Sequence, residues 1–300
     1  MTIDRQTSLL LILLSVLWGG AFFFIGVAVR ELPPFTVVLA RVAIGAVLLV
    51  PLVTFLGGAW PKTLHGWIPF LGMGLLNNVI PFSLLTIGQT YISSGLASVL
   101  NATTPLFAAL VLAASGDERL IARRIAGVIL GLAGVVVLHA PWLDQAHGQT
   151  VGMLLCLGAA VSYGFSGLWG RRKLTGVPPI TSAACQLICS SVIMALLAGV
   201  LERPWQLPTP SVATWASLIG LAALGTSLAY IVFFQILNRS GPVNVMLVTL
   251  LIPVTEILLG FLVLGEPISR HEILGALIIA SALLVIDGRA FDWMRRAAFA

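Results

Sequence analysis

The stretch VLWGGAFFFIGVAVRELPP, residues 16–34, has a counterpart in VSYGFSGLWGRRKLTGVPP, residues 161–179. Trp18-Gly19 recurs as Tyr163-Gly164 and Pro33-Pro34 as Pro178-Pro179, both 145 residues on. Further along, Trp67 returns as Trp215, Gly72 as Gly220, Pro105 as Pro253, Glu118 as Glu266 and Gly127 as Gly275, all at 148. One three-residue change in the loop near residues 57–66 reconciles the two offsets. The chain therefore reads as one apolar unit written twice, over residues 1–145 and 146–300. A doubled apolar unit with an odd number of helices per copy must face the membrane in opposite directions, which is how many carriers are built.

Composition decides the solvent. Of 300 residues, 59% are hydrophobic and 9% charged, with a mean hydropathy of +1.06. Average globular usage is about 25% charged. Such a chain cannot cover itself with polar surface, so lipid surrounds it. The net charge of +5 comes from only 16 cations, in short clusters between apolar runs. That is the orientation signal of a membrane protein rather than a nucleic-acid footprint, and no nucleic-acid partner is expected. Cys156, Cys185 and Cys189 fall within apolar spans, the last two on one helix face, and read as packing residues rather than a disulfide or metal pair. No metal-ligand spacing and no nucleotide-binding loop appears, so neither metal nor cofactor is expected. The apolar run from Leu9 to Val29 exceeds the roughly 7–15 residues of a signal-peptide core and reads as a first membrane helix.

A membrane-crossing helix takes about 20 apolar residues. Ten segments qualify, at 8–29, 35–56, 67–88, 92–114, 122–139, 151–170, 179–201, 213–236, 242–264 and 272–287, numbered here as spans 1–10. Gly and Pro clusters punctuate them at Pro33-Pro34, Gly57-Gly58, Gly116-Asp117, Pro178-Pro179, Pro204 to Pro210 and Gly265-Glu266-Pro267. Arg5, Lys62, Arg119, Arg123, Arg124, Arg171, Arg172, Lys173, Arg239, Arg289, Arg295 and Arg296 fall on one side, against Arg30, Arg203 and Arg270 on the other. The positive-inside rule puts both termini in the cytoplasm. The expected fold is an all-α membrane protein of ten transmembrane helices, arranged as two inverted five-helix repeats. Pro81, Pro105 and Pro253 lie inside spans, where they remove backbone hydrogen bonds. The equivalence of Pro105 and Pro253 suggests a shared bend.

The run Leu17-Trp18-Gly19-Gly20-Ala21-Phe22, then Pro33-Pro34, Ala40-Arg41, and Pro105 leading to Gly116-Asp117-Glu118-Arg119, resembles an EamA unit. So do Gly225-Thr226-Ser227-Leu228-Ala229-Tyr230, Gly241-Pro242, and Ile252-Pro253 through Leu264-Gly265-Glu266-Pro267 in the second copy. Over nearly its whole length the chain is similar to ten-helix EamA carriers of the drug/metabolite transporter superfamily. The resemblance implies a helical basket whose central cavity is lined chiefly by spans 1, 3, 4, 6, 8 and 9. It also implies export of small metabolites such as amino acids or xenobiotics from the cell, across the inner membrane. Spans 5 and 10 would be peripheral and could form a homodimer contact. Gln186 stands where the first copy has Arg41, Tyr163 replaces Trp18, and Glu256 follows the span 9 proline.

Polar groups at membrane depth are expensive, so each needs a partner or a wet cavity. Arg41 lies roughly 9 Å and Glu256 roughly 12 Å from the outer ends of spans 2 and 9, by the helical rise. Equal depth suggests that they pair or face one cavity; the alternative is that Arg41 snorkels outward and Glu256 packs against polar neighbours. Glu256 could also serve proton coupling. A second set lies near mid-membrane: Trp18, Asn77, Asn78, Asn101, Tyr163, Ser166, Thr226 and Tyr230. Its amides, hydroxyls and aromatic rings suit a zwitterion or a mixed polar–apolar metabolite, although Asn and Thr also serve as glue between helices. Glu118 and Glu266 read as loop caps or salt-bridge partners, and Gly127, Gly131 and Gly134 as a close-packing face. The reading is a carrier working by alternating access on a small-molecule substrate. The rivals are a channel or structural subunit and an intramembrane enzyme, for which His65, His139, His147 and His271 sit unhelpfully in loops or at helix ends.

Overall fold

The computed structural model describes residues 5–117, 122–139, 147–245, 248–265 and 269–287. Glu118, Arg119, Glu266, Pro267, Arg289, Arg295 and Arg296 lie outside them. The described residues form α-helices α1 (Arg5–Ala28), α2 (Pro34–Phe55), α3 (Leu64–Gly74), α4 (Ile80–Gly88), α5 (Ser94–Asn101), α6 (Thr104–Ala114) and α7 (Ala122–His139). They continue as α8 (His147–Lys173), α9 (Pro179–Leu201), α10 (Val212–Ala222), α11 (Ala229–Val245), α12 (Val248–Leu259) and α13 (Arg270–Asp287). Seven rods are long and apolar enough to cross a bilayer: Arg5–Ala28, Pro34–Phe55, Leu64–Gly88, Ser94–Ala114, Gly148–Lys173, Pro179–Leu201 and Val212–Leu237. Ile125–Val137, Leu251–Val263 and Ile273–Ala282 are apolar but shorter. Large apolar side chains face outward along these rods, among them Leu9, Ile12 and Val16 on α1. A helix apolar on every side is at home in lipid. The chain is a multi-pass membrane protein.

Helix starts repeat as the sequence does. Pro34 opens α2 and Pro179 opens α9, where a missing N–H is harmless and φ is already helical. Thr63 accepts the Gly66 N–H at the start of α3, and Ser211 accepts the Thr214 N–H at the start of α10.

The rods Leu64–Gly88 and Val212–Leu237 are interrupted near their middles. A π-helical segment, Leu75–Val79, joins α3 to α4, and a second, Ala223–Leu228, joins α10 to α11. The second begins 148 residues after the first. Hydroxyls take up carbonyls that the widened turns release: Ser162 donates to Leu76 O at 2.8 Å, Thr226 to Leu221 O at 3.1 Å and Ser227 to Ala222 O at 3.1 Å. Such segments inside α-helices concentrate at functional sites.

The expected shared bend at Pro105 and Pro253 is present at only one of them. The rod Ser94–Ala114 breaks at Ala102 and Thr103, just before Pro105. Pro253 instead lies within the unbroken α12. At the break, Thr103 donates to Leu100 O at 2.6 Å and Thr104 to Asn101 O at 2.7 Å. Side chains thus hold the backbone oxygens that the interruption frees. The equivalents of Thr103 and Thr104 are Leu251 and Ile252, which have no hydroxyl to offer.

Packing also exchanges the two copies. α2 lies along α9, and α7 along α13. α1 packs on α10, α11 and α12, while α8 packs on α3, α4 and α6. Glycines set the closest approaches. A Cβ on Gly19 would stand 2.9 Å from Thr255 Cβ, and one on Gly164 would stand 3.1 Å from the Phe107 carbonyl carbon. The Phe24 ring covers Gly220, where a Cβ would stand 2.7 Å from its Cζ, and the Trp169 ring covers Gly72. Trp169 Nε1 also donates to Pro69 O at 2.9 Å. Two glycines of α7 pack within the monomer: Gly131 meets Leu106, and Gly134 meets Ile278, Ile279 and Gly275. All three cysteines are buried free thiols.

Candidate functional site

The interrupted rods surround a cavity of about 550 Å³, in the range of small-molecule sites. Among the described residues, α1 lines it with Trp18, Phe22 and Ile25, α8 with Tyr163 and Ser166, and the π segments Leu75–Val79 and Ala223–Leu228 with Asn77, Gly225 and Thr226. It reaches Leu174 and Val177, in the loop where α8 passes into α9, and Pro179 at the start of α9. Towards the opposite end its lining stops inside the helices, at Ile25, Arg41 and Leu85.

Two carboxylates clasp that opposite end. Glu202, at the close of α9, accepts from Phe35 N at 2.9 Å, Thr36 N at 2.6 Å and Thr36 Oγ1 at 2.8 Å. It caps the first turn of α2, whose own N-cap residue is proline and supplies no side-chain acceptor. Glu31, in the loop before α2, accepts from Ser211 N and Ser211 Oγ, both at 2.7 Å. These bonds, the backbone one first, hold the Glu31 carboxyl below the usual carboxylate range. At the other end, Arg172 at the close of α8 grips Asp117 through Nη2 at 2.7 Å and Nε at 3.1 Å. The guanidinium hydrogen bond and charge keep Asp117 below its ordinary range.

Of the residues expected at a site, Trp18, Arg41, Asn77, Asn101, Tyr163, Ser166, Thr226 and Tyr230 all line the cavity. Asn78 does not. It is fully buried, donates to Ser190 Oγ at 3.0 Å and accepts from Tyr230 Oη at 3.1 Å. Around it Asn77 donates to Gln186 Oε1 at 3.1 Å and to Tyr230 Oη at 3.2 Å, and accepts from Ser166 Oγ at 3.2 Å. These groups answer one another and fix the shape of one wall. Asn101 differs: its side-chain oxygen has no hydrogen-bond partner among the described residues.

Arg41 is 6% exposed, yet its guanidinium belongs to the cavity wall. Nε donates to Thr226 Oγ1 at 3.0 Å, and the guanidinium carbon lies 3.5 Å from the centroid of the Phe82 ring. The π face attracts the cation. Glu256 is fully buried but is not part of the cavity lining. Its Oε2 would stand 3.3 Å from a Cβ on Gly95, in α5. The structure brings Arg41 to the cavity and leaves Glu256 in the contact of α12 with α5. Phe82 and Gln186 belong to the wall as well. The repeat could have found both, since Phe82 is the equivalent of Tyr230 and Gln186 of Arg41.

A family model described as "EamA-like transporter family" matches residues 6–139 and 150–287. The chain is 27% identical over 285 residues to "Uncharacterized transporter YvbV" of Bacillus subtilis strain 168, covering 95% of this chain and 92% of that protein. It is 28% identical over 290 residues to a "Probable amino-acid metabolite efflux pump" of Escherichia coli K12, covering 94% and 95%. It is 24% identical over 276 residues to the inner membrane transporter YedA of the same strain, covering 91% and 88%. A solved crystal structure superposes with a TM-score of 0.67 at 20% identity, covering 94% of this chain and 96% of that one. That last likeness is one of fold.

Proposed function

The chain belongs to the EamA-like transporter family, and from that premise we propose that this membrane transporter is a secondary carrier exporting a small metabolite across the cell's inner membrane. In this reading, residues 1–145 and 146–300 are oppositely oriented five-span halves, with both termini in the cytoplasm. They rock about the central cavity and expose it to each side in turn.

One observation carries the proposal. The cavity is walled by equivalent elements of both copies, reaches one end of the bundle, and is clasped shut at the other by Glu31 and Glu202. The end it reaches holds Arg171, Arg172 and Lys173, the side that the positive-inside rule assigns to the cytoplasm. On this reading the chain stands open inward and latched outward. Export fits the relative described as an efflux pump. A channel, in contrast, needs a path through both ends at once.

Counterflow in proteoliposomes tests the reading. Purified protein should take up a labelled amino acid or related metabolite from a panel, saturably, and faster when the unlabelled compound is inside. An imposed pH gradient then reports proton coupling. A conductance that neither saturates nor shows counterflow would replace the carrier with a channel.

A further inference from the structure

Arg41 is the one charged side chain among the described residues that line the cavity. It forms no ion pair with any described carboxylate: the Arg172–Asp117 pair lies at a helix end, away from the cavity. Its Nε serves Thr226 and one face rests on Phe82, while the Nη donors have no partner among the described residues. A cation in such a wall carries a large desolvation penalty until an anion meets it. Repeat symmetry does not call for it, because the equivalent position holds the neutral Gln186, already hydrogen-bonded to Asn77.

We propose that Arg41 is the anion anchor of the transport site, and that the cargo is an organic monoanion: a carboxylate on an apolar, ring-bearing body. The inference rests on the carrier reading above. The forked Nη donors suit a carboxylate's two oxygens. Trp18, Phe22 and Phe233 offer the body apolar ring surface. A zwitterionic amino acid fits less well, because no described acidic residue of the lining answers its ammonium. Asn101 Oδ1 is buried without a hydrogen-bond partner among the described residues and carries no full charge to answer an ammonium.

Three probes with one skeleton separate the cases: 3-phenylpropionate, phenylalanine and 2-phenylethylamine. Binding to the purified full-length protein in detergent is read by tryptophan fluorescence and by the shift in melting temperature. The expected order places 3-phenylpropionate at least about tenfold tighter than the other two, the scale of a charge-assisted hydrogen bond. Arg41→Gln should lose that preference while keeping 2-phenylethylamine binding undiminished, and Arg41→Lys should retain part of it. Should Arg41→Gln fail to fold, the order on the unaltered protein still decides. A preference for phenylalanine or the amine, equal binding of all three, or binding of none overturns the assignment. Saturable counterflow of any compound in proteoliposomes leaves the carrier reading intact in each case, and its absence for every compound removes the carrier reading separately.

Discussion

At the scale of single residues, the cavity wall contains two kinds of polar group. Asn77, Tyr230, Gln186 and Ser166 face the cavity but use their hydrogen bonds on one another. Arg41 and Asn101 keep polar atoms without described partners. The first kind should act on shape and stability. Tyr230→Phe removes a hydroxyl that donates to Asn78 Oδ1 and accepts from Asn77, leaving each amide one hydrogen bond fewer beside the bonds that Asn77 keeps to Gln186 and Asn78. Thermal unfolding in detergent should register a loss of about 1–3 kcal/mol, and an unchanged melting temperature would contradict the network. Arg41 stands out in the sequence as a charge in an apolar span, and the structure has it in the cavity wall. Equal depth suggests that Arg41 and Glu256 pair or face one cavity, but depth fixes height along a helix and not direction around it. Phe82, the ring beneath the guanidinium, has no charge to stand out in an apolar helix, and only its equivalence to Tyr230 in the repeat marks it.

At the scale of elements, glycines explain why the repeat survives where it does. Trp18-Gly19 and Tyr163-Gly164 are kept because Gly19 and Gly164 lie against α12 and α6, with no room for a Cβ to spare. Gly72 and Gly220 are kept because an aromatic ring of the other copy lies across each. Valine at either position would drive into that ring. Gly72→Val and Gly220→Val should each lower stability by about 1–3 kcal/mol. Gly167→Ala, at a helical glycine with nothing within 4 Å of a Cβ, should be neutral or gain up to about 1 kcal/mol. Equal melting temperatures for all three variants would refute this. The rods themselves were legible from hydropathy, and the helix starts from Pro33-Pro34 and Pro178-Pro179. The π segments were not, because the hydroxyls that serve them, Ser162 on α8 and Thr226 and Ser227 within the second segment, leave the apolar count unchanged. The break before Pro105 without one before Pro253 shows that proline alone does not decide a bend; at Pro105 the hydroxyls of Thr103 and Thr104 accompany it.

At the scale of the whole molecule, the two ends are held by different means. The end bearing Glu31 and Glu202 is bridged to backbone N–H groups across the copies, and the other end carries no matching pair of carboxylate caps among the described residues. The hydrogen bonds that lower the Glu31 pKa favour its anion in the latched form, so protonation opposes latching. The latch should therefore hold at neutral and mildly acid pH, and loosen only as the pH falls below the ordinary carboxylate range. Glu31→Gln combined with Glu202→Gln should loosen it at neutral pH. With Cys156, Cys185 and Cys189 replaced, a cysteine at Ile25 reports this as labelling by a membrane-impermeant maleimide from the latched side, at least about tenfold faster in the double variant. An unchanged rate would mean that the clasps do not gate the cavity. The lone guanidinium has an electrical consequence as well. Arg41 stays with the protein through a complete cycle, so a monoanionic cargo leaves carrying one net negative charge. An interior-negative voltage favours that departure by about 2.3 kcal/mol for each 100 mV. In the counterflow vesicles this is read as an export rate that follows the potassium-diffusion potential, and the battery that drives the carrier would then be the membrane itself.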